Sequence, residues 1–114
     1  MFPSHADVSG AAAAAALHWL DQYRQSLAQL MREPGDASSY RRNAEVFDAM
    51  RGLTASLPLV QVCWVEVLIS RFELFDALVR GRAAEAAQRR TDELLARHHA
   101  SLATFGRLCA RCVH

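Results

Sequence analysis

The segment from residue 57 to residue 80, LPLVQVCWVEVLISRFELFDALVR, is the most apolar stretch of the chain and constrains its fold most strongly. Placed on a helix at roughly 100° per residue, it has one clear polar stripe. That stripe consists of Glu66, Glu73, Asp76 and Arg80. The other faces carry mostly Val, Leu, Ile, Trp, Phe and Cys. A helix that is apolar over more than half its circumference lies at the centre of a helical bundle or at an interface between subunits.

Length and composition are those of a small globular protein. The 114 residues are 52% hydrophobic and 22% charged, which suits one domain, residues 1–114, with a single core and a loose segment over 1–8. The net charge of +1 gives no overall field that would attract nucleic acid or an anionic membrane, so neither is expected as a partner. All 13 basic residues are Arg, and with the abundant Ala this suggests a GC-rich bacterial genome.

Three features favour a cytoplasmic protein. The Ala-rich N-terminal segment lacks the positive charges that begin a secretory signal. Glu66 interrupts the most apolar run, which therefore fits poorly to a membrane span of about 20 apolar residues. The chain has three cysteines, an odd number that favours reduced thiols over a disulfide framework.

Hydrophobic periodicity predicts an all-α chain with helices near 10–32, 38–56, 58–80 and 83–111. We expect Ser9, Ser38 or Ser39, and Ser56 to cap the first three helices, and Gly81 to end the third in the left-handed conformation. Four helices of similar length joined by short turns favour an antiparallel up-down-up-down four-helix bundle.

Arg71 is the residue that fits the apolar pattern least, because it lies among the heptad positions of helix 58–80. A buried Arg needs acceptors for its charge. Antiparallel packing about tight turns would place it level with Thr91 and Asn43, near Tyr40, and would place His98 level with Trp64. Five polar residues could therefore form a polar layer or an anion site: Arg71, Asn43, Tyr40, Thr91 and His98. The alternative is an Arg71 side chain that extends to the surface and a His98 that is neutral in the core.

Cys109, Cys112 and His114 are the only residues with a spacing typical of metal ligands. Cysteines at positions i and i+3 share one helix face, and thiolates suit zinc. The same cysteines also fit the apolar seam of the last helix, where thiols pack as small hydrophobic groups. Zinc is therefore a weak alternative, and no cofactor is expected.

An interaction surface is predicted on helix 58–80. Val62, Val65, Ile69 and Phe72 lie away from the heptad positions that would face a bundle core, so they should lie at or near the surface. Exposed apolar patches of this kind mark interfaces. The alternative is that the first and fourth helices reach far enough round to cover these residues within one chain. No nucleophile elbow, P-loop, dinucleotide fingerprint or HExxH motif points to an enzyme.

These features predict a non-enzymatic protein–protein interaction module that binds itself, as a homodimer, or another protein through helix 57–80. The alternative is a small ligand- or metal-binding bundle that acts as a sensor or carrier. Its site would be the C-terminal cysteine and histidine cluster, or Arg71 with His98.

Overall fold

The computed structural model describes residues 5–81 and 85–113, and all regular structure in these ranges is helical. A 3-10 turn over Pro58–Val60 precedes the third helix. The four α-helices are α1 (His5–Arg32), α2 (Ala37–Thr54), α3 (Gln61–Arg80) and α4 (Glu85–Cys112). The predicted all-α fold with four helices is confirmed.

The chain divides into two compact units, which are described separately. The first contains α1, α2 and the end of α4 from Gly106 onward, and the second is residues 62–105, with most of α3 and α4.

In the first unit, α1 and α2 are antiparallel. The ring centroids of Tyr23 in α1 and Phe47 in α2 are 5.4 Å apart. One turn later in α1, Ser26 Oγ accepts a hydrogen bond of 3.1 Å from Asn43 Nδ2, which lies one turn earlier in α2. The buried apolar residues of α1 recur every three or four positions, as predicted for one helix face. They are Ala12, Ala13, Ala16, Leu20, Tyr23, Leu27 and Leu30.

In the second unit, α3 and α4 are antiparallel, but their register differs from the expected one. Trp64 packs on Phe105, with ring centroids 5.2 Å apart, and not on His98, which lies one heptad earlier in the chain. The sequence suggested that the fourth helix follows Gly81 after one residue. The observed contacts of Trp64 with Phe105 and of Ser70 with His98 place the midpoint of the antiparallel pair later in the chain than expected.

The predicted helix starts are wrong at α1 and α2. Helix α1 begins at His5, so residues 5–8 are helical rather than loose, and Ser9 lies inside the helix. Asp36, not Ser38 or Ser39, caps α2 by accepting a hydrogen bond of 3.1 Å from the Ser38 amide. The two serine hydroxyls donate to the same carboxylate. These hydrogen bonds, led by that of the Ser38 hydroxyl, hold the pKa of Asp36 below its usual value.

The predicted end of α3 is confirmed, but the predicted cap at its start is wrong. Ser56 does not cap the helix, because Leu57 precedes a 3-10 turn that begins at Pro58 and has no side-chain cap. Gly81 has a φ angle of +80°, the left-handed conformation that glycine adopts without steric cost.

Two glycine substitutions test these local features with opposite signs. Gly52→Ala should raise the free energy of unfolding by about 0.5–1 kcal/mol, because Gly52 lies within α2 and an added methyl group would meet open space there. Gly81→Ala should lower it by about 1 kcal/mol, because alanine is strained at positive φ. Urea unfolding followed by circular dichroism measures both changes. Two changes of the same sign would contradict this description.

Within the described residues, no single helix combines the length and the apolar character that a membrane span requires.

Candidate functional site

The outer face of α3, defined as Val62, Val65, Leu68, Ile69, Phe72 and Val79, is an exposed apolar surface. Val62, Phe72 and Val79 are the most open, with 81%, 74% and 80% of their surface exposed. The four residues that the sequence singled out, Val62, Val65, Ile69 and Phe72, all belong to it. So many exposed apolar side chains on one helix face often mark a binding site.

This face is exposed because α3 is apolar on two sides and buries only one of them. The buried side makes the core contacts of the second unit, led by the contact of Trp64 with Phe105. Its members are Cys63, Trp64, Val67, Ser70, Leu74 and Leu78. Their burial stabilises the helix without any help from the outer face. The apolar residues on that outer face are therefore not needed for the core.

Ion pairs border the outer face. Arg97 of α4 donates to the Glu73 carboxylate over 3.0 Å, and Arg80 donates to Asp76 over 3.0 Å. Asp76 lies close to the middle of the face and separates Phe72 from Val79 along the helix. Because these acidic groups have basic neighbours in the same chain, the border carries little net charge.

A groove of about 400 Å³ adjoins the outer face. Phe72 and Leu94 of α4 line it, together with the charged side chains of Glu73, Asp76, Arg80 and Arg90. The groove therefore offers both apolar and charged groups. It can receive a side chain from a partner that packs on α3.

A buried polar cluster, Ser70, His98 and Ser101, lies inside the second unit. Ser70 Oγ is 2.8 Å from His98 Nδ1 and 2.7 Å from Ser101 Oγ. Ser70 donates to the carbonyl of Val67, and Ser101 donates to that of His98. Because both hydroxyls have carbonyl acceptors, Ser70 Oγ can accept a hydrogen bond from Nδ1–H, which favours the tautomer protonated at Nδ1.

The cluster contains the residue types of a nucleophile and its base, but its burial suits a structural role. His98 is completely buried and Ser70 is 3% exposed, whereas Ser101 is half-buried. Burial, and then the nearby charge of Arg71, lower the pKa of His98 to about 3. His98 is thus neutral at pH 7, and it matches the neutral core histidine that the sequence left open as an alternative.

The sign of this pKa shift predicts acid sensitivity. Unfolded, His98 binds a proton near pH 6.5, whereas folded it does so only near pH 3. As the pH falls between these values, the unfolded state gains protons first, and the free energy of unfolding should fall by up to about 1.4 kcal/mol per pH unit. His98→Gln should remove this contribution to the pH dependence of the free energy of unfolding. The wild type should therefore lose stability faster than the variant as the pH falls, and the difference between their free energies of unfolding should become smaller.

Urea unfolding at pH 7, 5.5 and 4.5 measures the effect of His98. His99→Gln is the matched control, because His99 is exposed and adjacent in sequence. If the free energies of unfolding of the wild type and His98→Gln differed by the same amount at all three pH values, the shifted pKa of His98 would be contradicted.

Arg71 lies beside this cluster. Its guanidinium stands over the ring of Phe75, 4.3 Å from the centroid, and its charge acts on His98. The side chain is half-buried. Stacking on an aromatic face thus accommodates the charge at the edge of the apolar side of α3.

Within the second unit, the structure does not pair Arg71 with Thr91 as the predicted polar layer required. Thr91 is level with Arg71 only in the register that proved wrong, and its hydroxyl donates to the carbonyl of Ala87. Asn43 and Tyr40 belong to the first unit, where Asn43 bonds Ser26. Arg71 and His98 do interact, through the charge of the guanidinium.

The predicted metal ligands give no site among the described residues. Cys109 is buried in the first unit, Cys112 is half-buried, and neither forms a disulfide. His114 lies outside the described residues. Over residues 5–81 and 85–113, no group of three His, Cys, Asp or Glu side chains is arranged to hold a metal ion.

Sequence reasoning missed Ser70, Leu68 and Val79. Ser70 follows Ile69 on a helix that otherwise reads as apolar, and only its contact with His98 shows that it is buried. Leu68 widens the outer face, and Val79 extends it by about two helix turns beyond Phe72. Their angles on the helix, next to Phe72, could have identified them from the sequence.

No protein-family model, curated protein or solved structure matches this chain.

Proposed function

We propose that this protein is a non-enzymatic helical interaction module that binds a protein, either a second copy or another chain, through the outer face of α3. The observation that carries this proposal is the exposure of six large apolar side chains on one helix whose opposite side already fills a core. Leaving them in water has a free-energy cost that a partner would remove, at about 25 cal/mol for each Å² buried.

The border of the face supports a protein partner over nucleic acid or a charged membrane. Glu73 beside the face and Asp76 within it each pair with an Arg, so those two Arg side chains are not available to attract phosphate. Apolar side chains accompanied by paired polar groups are usual in a protein interface. The three cysteines, none of them in a disulfide, suit the reducing cytoplasm, where we place the protein.

Photo-crosslinking in cells that express the protein naturally tests this function. Benzoylphenylalanine in place of Phe72 should form a covalent adduct with a protein, because Phe72 is 74% exposed at the middle of the outer face. The same residue in place of Arg89, exposed on α4, is the matched control.

The two possible partners give different products. An adduct of twice the chain mass indicates a second copy, and an adduct of another mass identifies a different protein. Adducts at position 72 no stronger than those at position 89 would contradict the proposed function.

A further inference from the structure

We infer that the partner is a second copy of this chain, with the two α3 helices antiparallel about a two-fold axis between Ile69 and Phe72. This inference rests on the proposed function and names the occupant of the same face. It follows from the size of the face, the positions of its charges and the positions of its end residues.

The size of the face suits a helix pair. Helix α3 has 20 residues and is therefore about 30 Å long. Its outer face offers on the order of 600 Å² of apolar surface, near the upper limit for a monomer. Two such faces approach the roughly 1,200 Å² at which specific interfaces begin. A second copy supplies a face of the same length and apolar character.

The charges of α3 distinguish the two possible directions. Asp76 lies close to the middle of the face, so in a parallel two-fold pair it would lie level with Asp76 of the other copy, and like charges would meet. In an antiparallel pair centred between Ile69 and Phe72, Asp76 lies level with Val65 of the other copy.

The ends of the face agree with the same centre. Val62 and Val79, 81% and 80% exposed, are equally distant from the midpoint between Ile69 and Phe72. In the antiparallel pair, Val62 of each copy therefore lies level with Val79 of the other. Asp76 keeps Arg80 as its counter-ion, which limits the cost of placing its carboxylate at the interface.

Disulfide trapping in purified protein, with one cysteine added to α3 at a time, tests this arrangement; the native Cys63 and Cys109 are buried. In a Cys112→Ser background, Ile69→Cys alone and Phe72→Cys alone should each form disulfide-linked dimers, because equivalent residues lie close to the two-fold axis. Val62→Cys alone and Val79→Cys alone should not, because equivalent residues are about 25 Å apart along the helix axis. A mixture of the Val62→Cys and Val79→Cys chains should form the mixed dimer.

Each outcome decides the inference. Dimers from Val62→Cys alone that are as abundant as those from Ile69→Cys would indicate a parallel pair and overturn it. The absence of dimers from both Ile69→Cys and Phe72→Cys would also overturn it. Two variants are used so that the test still holds if one of them fails to fold. If photo-crosslinking at Phe72 then still captures a different protein, the inference of a second copy is wrong and the proposed function stands. If neither method gives an adduct, both fail.

Discussion

Trp64→Ala should lower the free energy of unfolding by about 3–5 kcal/mol, because it removes a large buried ring and leaves a cavity in the second unit. Trp64 is 5% exposed and packs on Phe105, with ring centroids 5.2 Å apart. The loss includes both the apolar area returned to water and the aromatic contact. Urea unfolding at low protein concentration, followed by circular dichroism, measures the change.

Phe72→Ala is the matched control for Trp64→Ala, because both residues are large aromatic groups on α3. Phe72 is 74% exposed, so its loss should change the stability of the dilute protein by less than about 1 kcal/mol. Equal losses from the two substitutions would mean that the buried and outer sides of α3 are assigned incorrectly.

Val65→Glu combined with Ile69→Glu should abolish self-association while the protein remains folded. Both residues are about half exposed, so the carboxylates can reach water in the monomer. In the antiparallel pair, the same carboxylates would be buried without counter-ions, which costs about 3 kcal/mol or more. We therefore expect the dissociation constant to rise by more than roughly 100-fold.

The matched control places the same two charges on the buried side of α3. Val67→Glu combined with Leu74→Glu should unfold the protein, because both side chains are completely buried. Circular dichroism should show a helical spectrum for the outer-face variant and loss of that spectrum for the control. Loss of helix in both variants would mean that the outer face belongs to a core.

The sequence predicts the helices and the faces of α3 well, because both depend on short-range periodicity. Apolar residues repeat every three or four positions in α1 and α3, and Gly81 ends α3 where only glycine is unstrained. The exposure of Val62 and Phe72 follows from the same periodicity, since one core cannot contact both apolar sides of a helix.

The sequence does not predict the register between helices, because register depends on where a connection begins and ends. Placing the turn at Gly81 put Thr91 level with Arg71 and His98 level with Trp64. The observed pairing of Trp64 with Phe105 is shifted by one heptad from the expected pairing with His98. Such a shift keeps the same heptad positions facing each other, so the apolar pattern does not distinguish the two registers. The predicted pairing of Arg71 with Thr91 is wrong for this reason.

Small polar residues were the other source of error. A serine can cap a helix, lie on its surface or be buried if its hydroxyl finds acceptors, and the sequence alone does not separate these roles. Ser38 and Ser39 donate to the true cap, Asp36, whereas Ser70 is buried because Val67 and His98 satisfy its hydroxyl.

Sedimentation equilibrium tests most directly whether the outer face of α3 is an interface between copies. Wild-type protein should approach twice the chain mass of 12.7 kDa as its concentration rises, and the Val65→Glu, Ile69→Glu variant should remain at the chain mass. Val113→Glu, which places the same charge at an exposed valine outside α3, should behave as the wild type. A wild-type protein that stays at 12.7 kDa at high concentration, or a double variant that dimerises equally well, would contradict this account.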